Sequence, residues 1–281
     1  MILQEITEKF GRCSEIQVIH SVHGGCIGRS YKVKIGNSVY FLKTSDDPKA
    51  KDIFRAEADG LFALRERGLE RVPEVIATGN NYLLVPWIEA GEKTKKGMQK
   101  AGEALALLHV KAYPYYGFER NNYIGSLPQP NSKSFNWPQF YFQHRLWYMA
   151  QIAQQRKGIT VQTLNQVEML QSRLEDLIPN EPPSLLHGDL WGANLMIDTQ
   201  GNPWFIDPAI YAGHREVDLA MTMLFGGFDS SFYEAYQSTY ALLPDFKERI
   251  ALYQLYPLLV HAALFGSGYH RQVVNCLRVY L

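Results

Sequence analysis

The sequence predicts an α+β fold in two unequal parts: an antiparallel sheet with one helix over residues 1–88, and a mainly helical remainder over 89–281. Three observations predict it. β-rich runs separated by turn residues fill positions 16–43. The continuous apolar run Tyr82–Ile88 stops abruptly at Glu89-Ala90-Gly91-Glu92. Beyond that point the apolar residues recur at helical spacing almost everywhere.

Taken in order, residues 1–12 carry a short amphipathic helical pattern. Tyr31, Val33 and Ile35 alternate with polar neighbours, Gly36-Asn37 signals a turn, and Val39–Leu42 is a second β-rich run, so a hairpin is expected. Over 49–67, Ile53, Phe54, Ala58, Leu61, Phe62 and Leu64 recur as on one helix face, and Gly68 marks its end. Helices follow over 95–110, 138–156, 161–177, 216–225, 229–241 and most of 245–280. Between the first two lies a long loop, 112–137, rich in Pro, Asn, Tyr and Gly, and loops of that length in a compact domain are often functional. The exception in the second part is 184–207. There Leu195–Asp198 and Pro203–Ile206 flank Thr199-Gln200-Gly201-Asn202 and read as a small hairpin.

Composition narrows the function classes. A chain of 281 residues with 28 basic and 28 acidic side chains has no basic excess for a phosphate backbone, which argues against nucleic acid as the partner. No window is apolar for long enough to span a bilayer, and the acidic start lacks the cationic segment of a signal peptide. The three cysteines, Cys13, Cys26 and Cys276, have no metal-ligand spacing, and their odd number fits a reduced, cytoplasmic setting.

The chemistry is concentrated in His187-Gly188-Asp189-Leu190-Trp191-Gly192-Ala193-Asn194 and, after the short hairpin, Ile206-Asp207-Pro208-Ala209. An Asp, an Asn five positions on, and an Asp after a hairpin form the layout of a kinase catalytic loop and metal-binding loop. Phosphoryl transfer needs a carboxylate to orient the acceptor hydroxyl and take its proton, which suits Asp189. It also needs hard oxygen ligands for Mg²⁺, which Asn194 and Asp207 supply. In the sheet-rich part, Lys43 ends the hairpin and Glu57 follows in the helix, a pair suited to holding the α- and β-phosphates of ATP. His23-Gly24-Gly25-Cys26-Ile27-Gly28 precedes that hairpin. Gly24, Gly25 and Cys26 are therefore expected to cover the phosphates with backbone amides.

The segments His-Gly-Asp-Leu-Trp-Gly-Ala-Asn at 187–194 and Phe-Ile-Asp-Pro-Ala-Ile-Tyr-Ala-Gly-His-Arg-Glu-Val-Asp at 205–218 resemble the fructosamine (ketosamine) kinases. These sit within the aminoglycoside and choline kinase superfamily of protein-kinase-like folds. Asn121–Gly125 and Leu127-Pro128-Gln129 extend the resemblance to nearly the whole chain. It departs at Gly28, where the family pattern carries Asn or a similar polar residue, and at Pro86, where a Glu is more usual. It implies a bilobal fold with ATP between the lobes near Val85, Pro86, Trp87 and Ile88. Pro86 has no N–H, so its neighbours would supply the donor to adenine. The resemblance also implies an ATP- and Mg²⁺-dependent kinase acting on the 3-hydroxyl of free or protein-bound ketosamines, with release of the amine as a repair reaction.

Several residues have two readings. Trp191 stacks on a sugar or packs in the core. His214 and Arg215 line the acceptor site or are structural, Arg215 and Glu216 pairing with each other. Asp218 braces the catalytic loop. His109 is structural, and Phe140–Met149 reads as core, with His144 and Arg145 turned to the cleft as the alternative. Cys26, in a locally positive phosphate loop, is a candidate redox thiol able to bridge two subunits. Two rivals remain: a kinase for an aminoglycoside or amino alcohol, which an acidic cluster would favour and none is present, and a pseudokinase, which intact Lys43, Asp189, Asn194 and Asp207 oppose.

Overall fold

The computed structural model describes Ile6, residues 16–22 and residues 28–281. The alternating runs form β1 (Ile16–Val22), β2 (Arg29–Ile35) and β3 (Ser38–Thr44), each antiparallel to the next. Helix α1 (Ala50–Glu66) follows β3. β4 (Ala77–Thr78) and β5 (Tyr82–Pro86) complete an antiparallel sheet in the order β1-β2-β3-β5-β4. α1 buries Ile53, Phe54, Leu61 and Leu64 as their spacing requires, and its end is turned by Gly68 at φ +91°. Phe62, assigned to the same face, is 65% exposed instead. Residue 62 is one step, about 100°, beyond Leu61, and that rotation carries it off the buried stripe.

The remainder is mainly helical. α2 (Lys95–His109) starts at Thr94, whose hydroxyl accepts the Gly97 N–H at 3.2 Å. The expected helix over 138–156 is α3 (Trp137–Tyr141) and α4 (Tyr148–Gln155), joined through a π-helical turn at Phe142–Trp147. That over 161–177 is α5 (Val161–Met169) and α6 (Leu174–Leu177), linked by a 3₁₀ turn. α7 (Glu216–Thr222), α8 (Ser230–Thr239), α9 (Phe246–Phe265) and α10 (His270–Leu277) follow. The long loop contains its own hairpin, β6 (Asn122–Ile124) and β7 (Leu127–Gln129), which propensity did not reveal because each strand is three residues long.

The core runs straight across residue 88. Phe54, Leu61 and Leu83 from the sheet side share one cluster with Met98, Leu105, Leu185 and Leu195. The change at 88 is thus one of secondary structure, not a break in packing. A second cluster joins α3, α4 and α9 around Trp137, Tyr141, Leu146 and Tyr253. Among the described residues, no helix is long and apolar enough to cross a membrane.

Candidate active site

β8 (Ser184–Leu186) leads directly into His187-Gly188-Asp189, and it pairs antiparallel with β11 (Tyr211–Gly213). The pairing brings the two halves of the motif alongside each other, and the Ala209 N–H donates to the His187 carbonyl at 2.9 Å. Gly188 sits at φ +81°, and a Cβ there would lie 2.1 Å from the Ala209 carbonyl oxygen. Only glycine permits that approach. β9 (Leu195–Ile197) and β10 (Pro203–Phe205) form the expected hairpin, closed where the Ile206 N–H donates to the Asn194 carbonyl at 3.0 Å. Asn194 and Asp207 therefore stand at the same end of it.

Asp218 braces this loop as its position after the motif implied. Its carboxylate accepts the His187 N–H at 2.7 Å and the Gly188 N–H at 2.9 Å, and it meets His109 Nε2 at 3.2 Å. His109 is buried there, bonded also to the Tyr236 hydroxyl, and is structural. Asn194 donates from Nδ2 to the Asp189 carbonyl at 2.8 Å and to its Oδ2 at 3.2 Å. Its amide nitrogen is so engaged that its oxygen is the atom left to coordinate. Burial, with Asp207 nearby, holds the Asp189 carboxyl well above the usual aspartate range, against the Asn194 bond.

From the sheet side, Lys43 Nζ reaches Glu57 Oε1 at 2.7 Å and Asp207 Oδ1 at 2.5 Å. Burial alone would depress the Lys43 ammonium, but Asp207 and Glu57 outweigh it and hold it above its normal value. Burial pushes Glu57 up to about 7, against the pull of Lys43. One cation between two carboxylates leaves a net negative pocket of oxygen donors, the chemistry a hard divalent cation requires.

These residues line a single cleft of about 520 Å³. Its lining includes Lys43, Glu57 and Asp207, the strand-end segment Val85–Ile88, and Asp189, Trp191 and Asn194. The strand-end segment differs from expectation in its donors. Trp87 donates its N–H to the Val39 carbonyl at 3.1 Å, continuing the β3–β5 ladder, and Val85 is itself a ladder residue opposite Phe41. With Pro86 lacking an N–H, Ile88 carries the remaining donor of the segment. Gly24, Gly25 and Cys26 lie outside the described residues. The departure at Gly28 has a steric reason: φ is +83°, and a Cβ would meet the Thr44 carbonyl oxygen at 2.0 Å.

The sequence profile of the fructosamine kinases matches residues 1–281. The chain belongs to the fructosamine kinase family. It is 38% identical to a Synechocystis sp. protein described as a probable ketoamine kinase, over 99% of this chain and 96% of that protein. A chloroplastic protein-ribulosamine 3-kinase of Oryza sativa subsp. japonica is 35% identical over 96% of this chain and 81% of its own length. A crystal structure from Thermobifida fusca, assigned to the fructosamine-3-kinases, superposes with a TM-score of 0.89 at 33% identity, covering 98% of this chain and 96% of that one. The choline kinase of Streptococcus pneumoniae shares the kinase-like fold alone, with a TM-score of 0.67 at 19% identity over 99% and 98% of the two chains.

Within this fructosamine kinase fold, the two candidate acceptor residues His214 and Arg215 lie elsewhere. Arg215 is 1% exposed, its guanidinium bonded to Glu181 and to the carbonyls of Tyr240 and Ala241. His214 is fully buried and stacked on Tyr253 at 5.5 Å between ring centres. Both point into the core behind the loop, where α7 begins, so neither lines the cleft. Arg215 pairs with Glu181 and not with Glu216, which binds Arg249 through two 2.7 Å contacts. Trp191 does line the cleft, half-buried and edge-on to Phe225 at 6.1 Å. Arg145 is buried, not turned to the cleft. It stacks on Tyr211 at 3.7 Å and donates to Pro130 and Asn131.

Sequence reasoning missed two contributions to the family site. The β6–β7 hairpin brings Tyr123 and Gly125 to the cleft, and its buried amides brace the segment after Asp207: Asn122 donates to the Ile210 carbonyl at 2.7 Å and Gln129 to that of Ala209 at 3.0 Å. The end of α9 supplies Val260, His261, Leu264 and Phe265. The first was signalled by the family-like Asn121–Gly125 segment without a role. The second had no local signal.

Proposed function

We propose that this chain transfers the γ-phosphoryl group of ATP to a sugar hydroxyl of a ketosamine, the 3-hydroxyl, and so promotes release of the glycated amine. The observation that carries this is the convergence, in one cleft, of the Lys43–Glu57–Asp207 cluster and Asp189. Family membership and the ribulosamine 3-kinase among its relatives support the acceptor class. Residues 1–88 act as the nucleotide-binding lobe and 89–281 as the catalytic and substrate lobe. Ile88 N–H donates to adenine, and Lys43, kept in place by Glu57, holds the α- and β-phosphates. Asp189 orients the acceptor hydroxyl and takes its proton, a role its raised affinity for protons suits. The oxygen of Asn194 and the carboxylate of Asp207 would hold Mg²⁺, which when bound neutralises charge on the phosphates. Trp191 offers a flat apolar face to the sugar.

The test is ATP consumption against fructosamines, ribulosamines, choline and aminoglycosides. Ketosamine turnover with no amino-alcohol turnover is expected. Robust choline or aminoglycoside phosphorylation without ketosamine activity would overturn the reading. Asp189→Asn should lower kcat by about 10²–10⁴-fold while nucleotide binding persists. Near-normal turnover in that variant would remove Asp189 from its role.

A further inference from the structure

The end of α9 contributes Val260, His261, Leu264 and Phe265 to the cleft. The carboxylates that line it, Glu57, Asp189 and Asp207, are tied to Lys43 or Asn194. The titratable group that α9 adds is His261. Its Nδ1 lies 2.8 Å from the Pro257 carbonyl oxygen, one turn earlier in the helix. A carbonyl can only accept, so Nδ1 must carry the proton, and a neutral imidazole then presents Nε2 as a lone-pair acceptor. Burial favours that neutral form, with the Pro257 bond a weaker opposing influence. Nε2 has no hydrogen-bond partner among the described residues. The ring is walled by aromatic side chains: Phe225 at 4.6 Å, Tyr269 at 5.0 Å and Phe265 at 5.5 Å between centres. A fixed acceptor set among aromatic faces and away from free carboxylates suits an N–H⁺ donor of modest charge density.

We propose that His261 is a specificity-determining residue that accepts a hydrogen bond from the protonated secondary amine of the ketosamine, the feature that separates a ketosamine from a plain ketose. The inference rests on the ketosamine reading above. Secondary alkylamines are protonated near neutral pH, and a ketosamine carries its amine on the carbon next to the carbonyl, two carbons from the 3-hydroxyl. Recognition by an imidazole and aromatic rings replaces the carboxylate cluster that a polycationic aminoglycoside would need.

The experiment compares an N-alkyl ketosamine with its ether isostere, in which oxygen replaces the amine nitrogen, in the wild type and in His261→Ala, His261→Phe and His261→Gln. In the wild type, kcat/KM should favour the amine by roughly ten- to hundredfold, the range of one hydrogen bond to a charged group. In His261→Ala and His261→Phe that preference should collapse toward unity, chiefly through a raised KM for the amine. His261→Gln keeps an acceptor oxygen and should retain part of the preference, which also covers a poorly folding Ala variant. An unchanged amine-to-ether ratio in all three variants overturns the role of His261 and leaves the kinase reading intact. A wild type that phosphorylates neither compound overturns the kinase reading itself.

Discussion

Gly188 shows how little freedom single residues have around the catalytic loop. Gly188→Ala would force a side chain into the left-handed region and against the Ala209 carbonyl oxygen, at a cost of about 3 kcal/mol. A lowered melting temperature together with lost turnover is the expected outcome. Asp218 accepts two loop amides, and Asp218→Asn would leave one of them facing an N–H₂ group, costing about 1–3 kcal/mol. The two residues set aside as acceptor contacts separate in a different way. Arg215→Leu leaves Glu181 charged and buried, so about 3–5 kcal/mol of stability should be lost with the KM for acceptor unmoved. A raised KM at unchanged stability would return Arg215 to the substrate site.

His214 also gives stability a pH dependence. Burial, with Arg249 and Arg215 nearby, pushes its imidazole down to about 3, and the two adjacent carboxylates are each already paired with an arginine. Its folded affinity for protons is lower than that of the unfolded chain, so the unfolded state binds more protons between about 3 and the ordinary 6.5. The stability it contributes is complete above 6.5 and is lost as the pH falls toward 3, by about 2 kcal/mol on reaching pH 5. Thermal denaturation at stepped pH checks this, and His214→Phe should flatten the slope. At this scale the meeting of Lys43, Asp189, Asn194 and Asp207 in one cleft was legible, because kinase chemistry calls for those residue types at fixed spacings. His214 and Arg215 were not, because a polar cluster next to a motif looks the same whether it faces solvent, substrate or core.

Elements were legible where periodicity was long. α1, α2 and the β2–β3 hairpin follow directly from their patterns, and the β9–β10 hairpin from its turn residues. The β6–β7 hairpin was not, since three-residue strands give no alternation to detect and owe their form to buried amides. The π turn at Phe142–Trp147 was also hidden. It shifts the helix register between Tyr141 and Tyr148 and seats Arg145 under Tyr211, from where it holds Asn131. Asn131 in turn donates to Asn122 at 2.8 Å, the residue bound to the Ile210 carbonyl. Arg145→Met keeps the bulk and removes the donors. It should loosen the segment after Asp207 and, on the proposed Mg²⁺ role of Asp207, raise the Mg²⁺ concentration for half-maximal activity, while leaving far-UV circular dichroism unchanged. An unaltered Mg²⁺ dependence would confine Arg145 to stability.

At the scale of the whole molecule, the sheet-rich and helical parts were legible from the change of pattern at residue 88, but the core cluster that crosses it was not, since tertiary packing leaves no periodicity in sequence. The same crossing sets an order in time. Lys43 and Asp207 stand 164 residues apart, and their contact forms only after the chain has closed that span. A chain synthesised from its N-terminus completes Lys43 on β3 and Glu57 on α1 long before Asp207 exists, and local helices and hairpins form faster than pairings of such separation. On refolding from urea, helical signal should therefore return first, and binding of a fluorescent nucleotide should follow as a slower phase. If both recover with one rate constant, the nucleotide site forms together with the secondary structure. If the lag is seen, a newly made chain spends its early life folded in outline and unable to hold nucleotide.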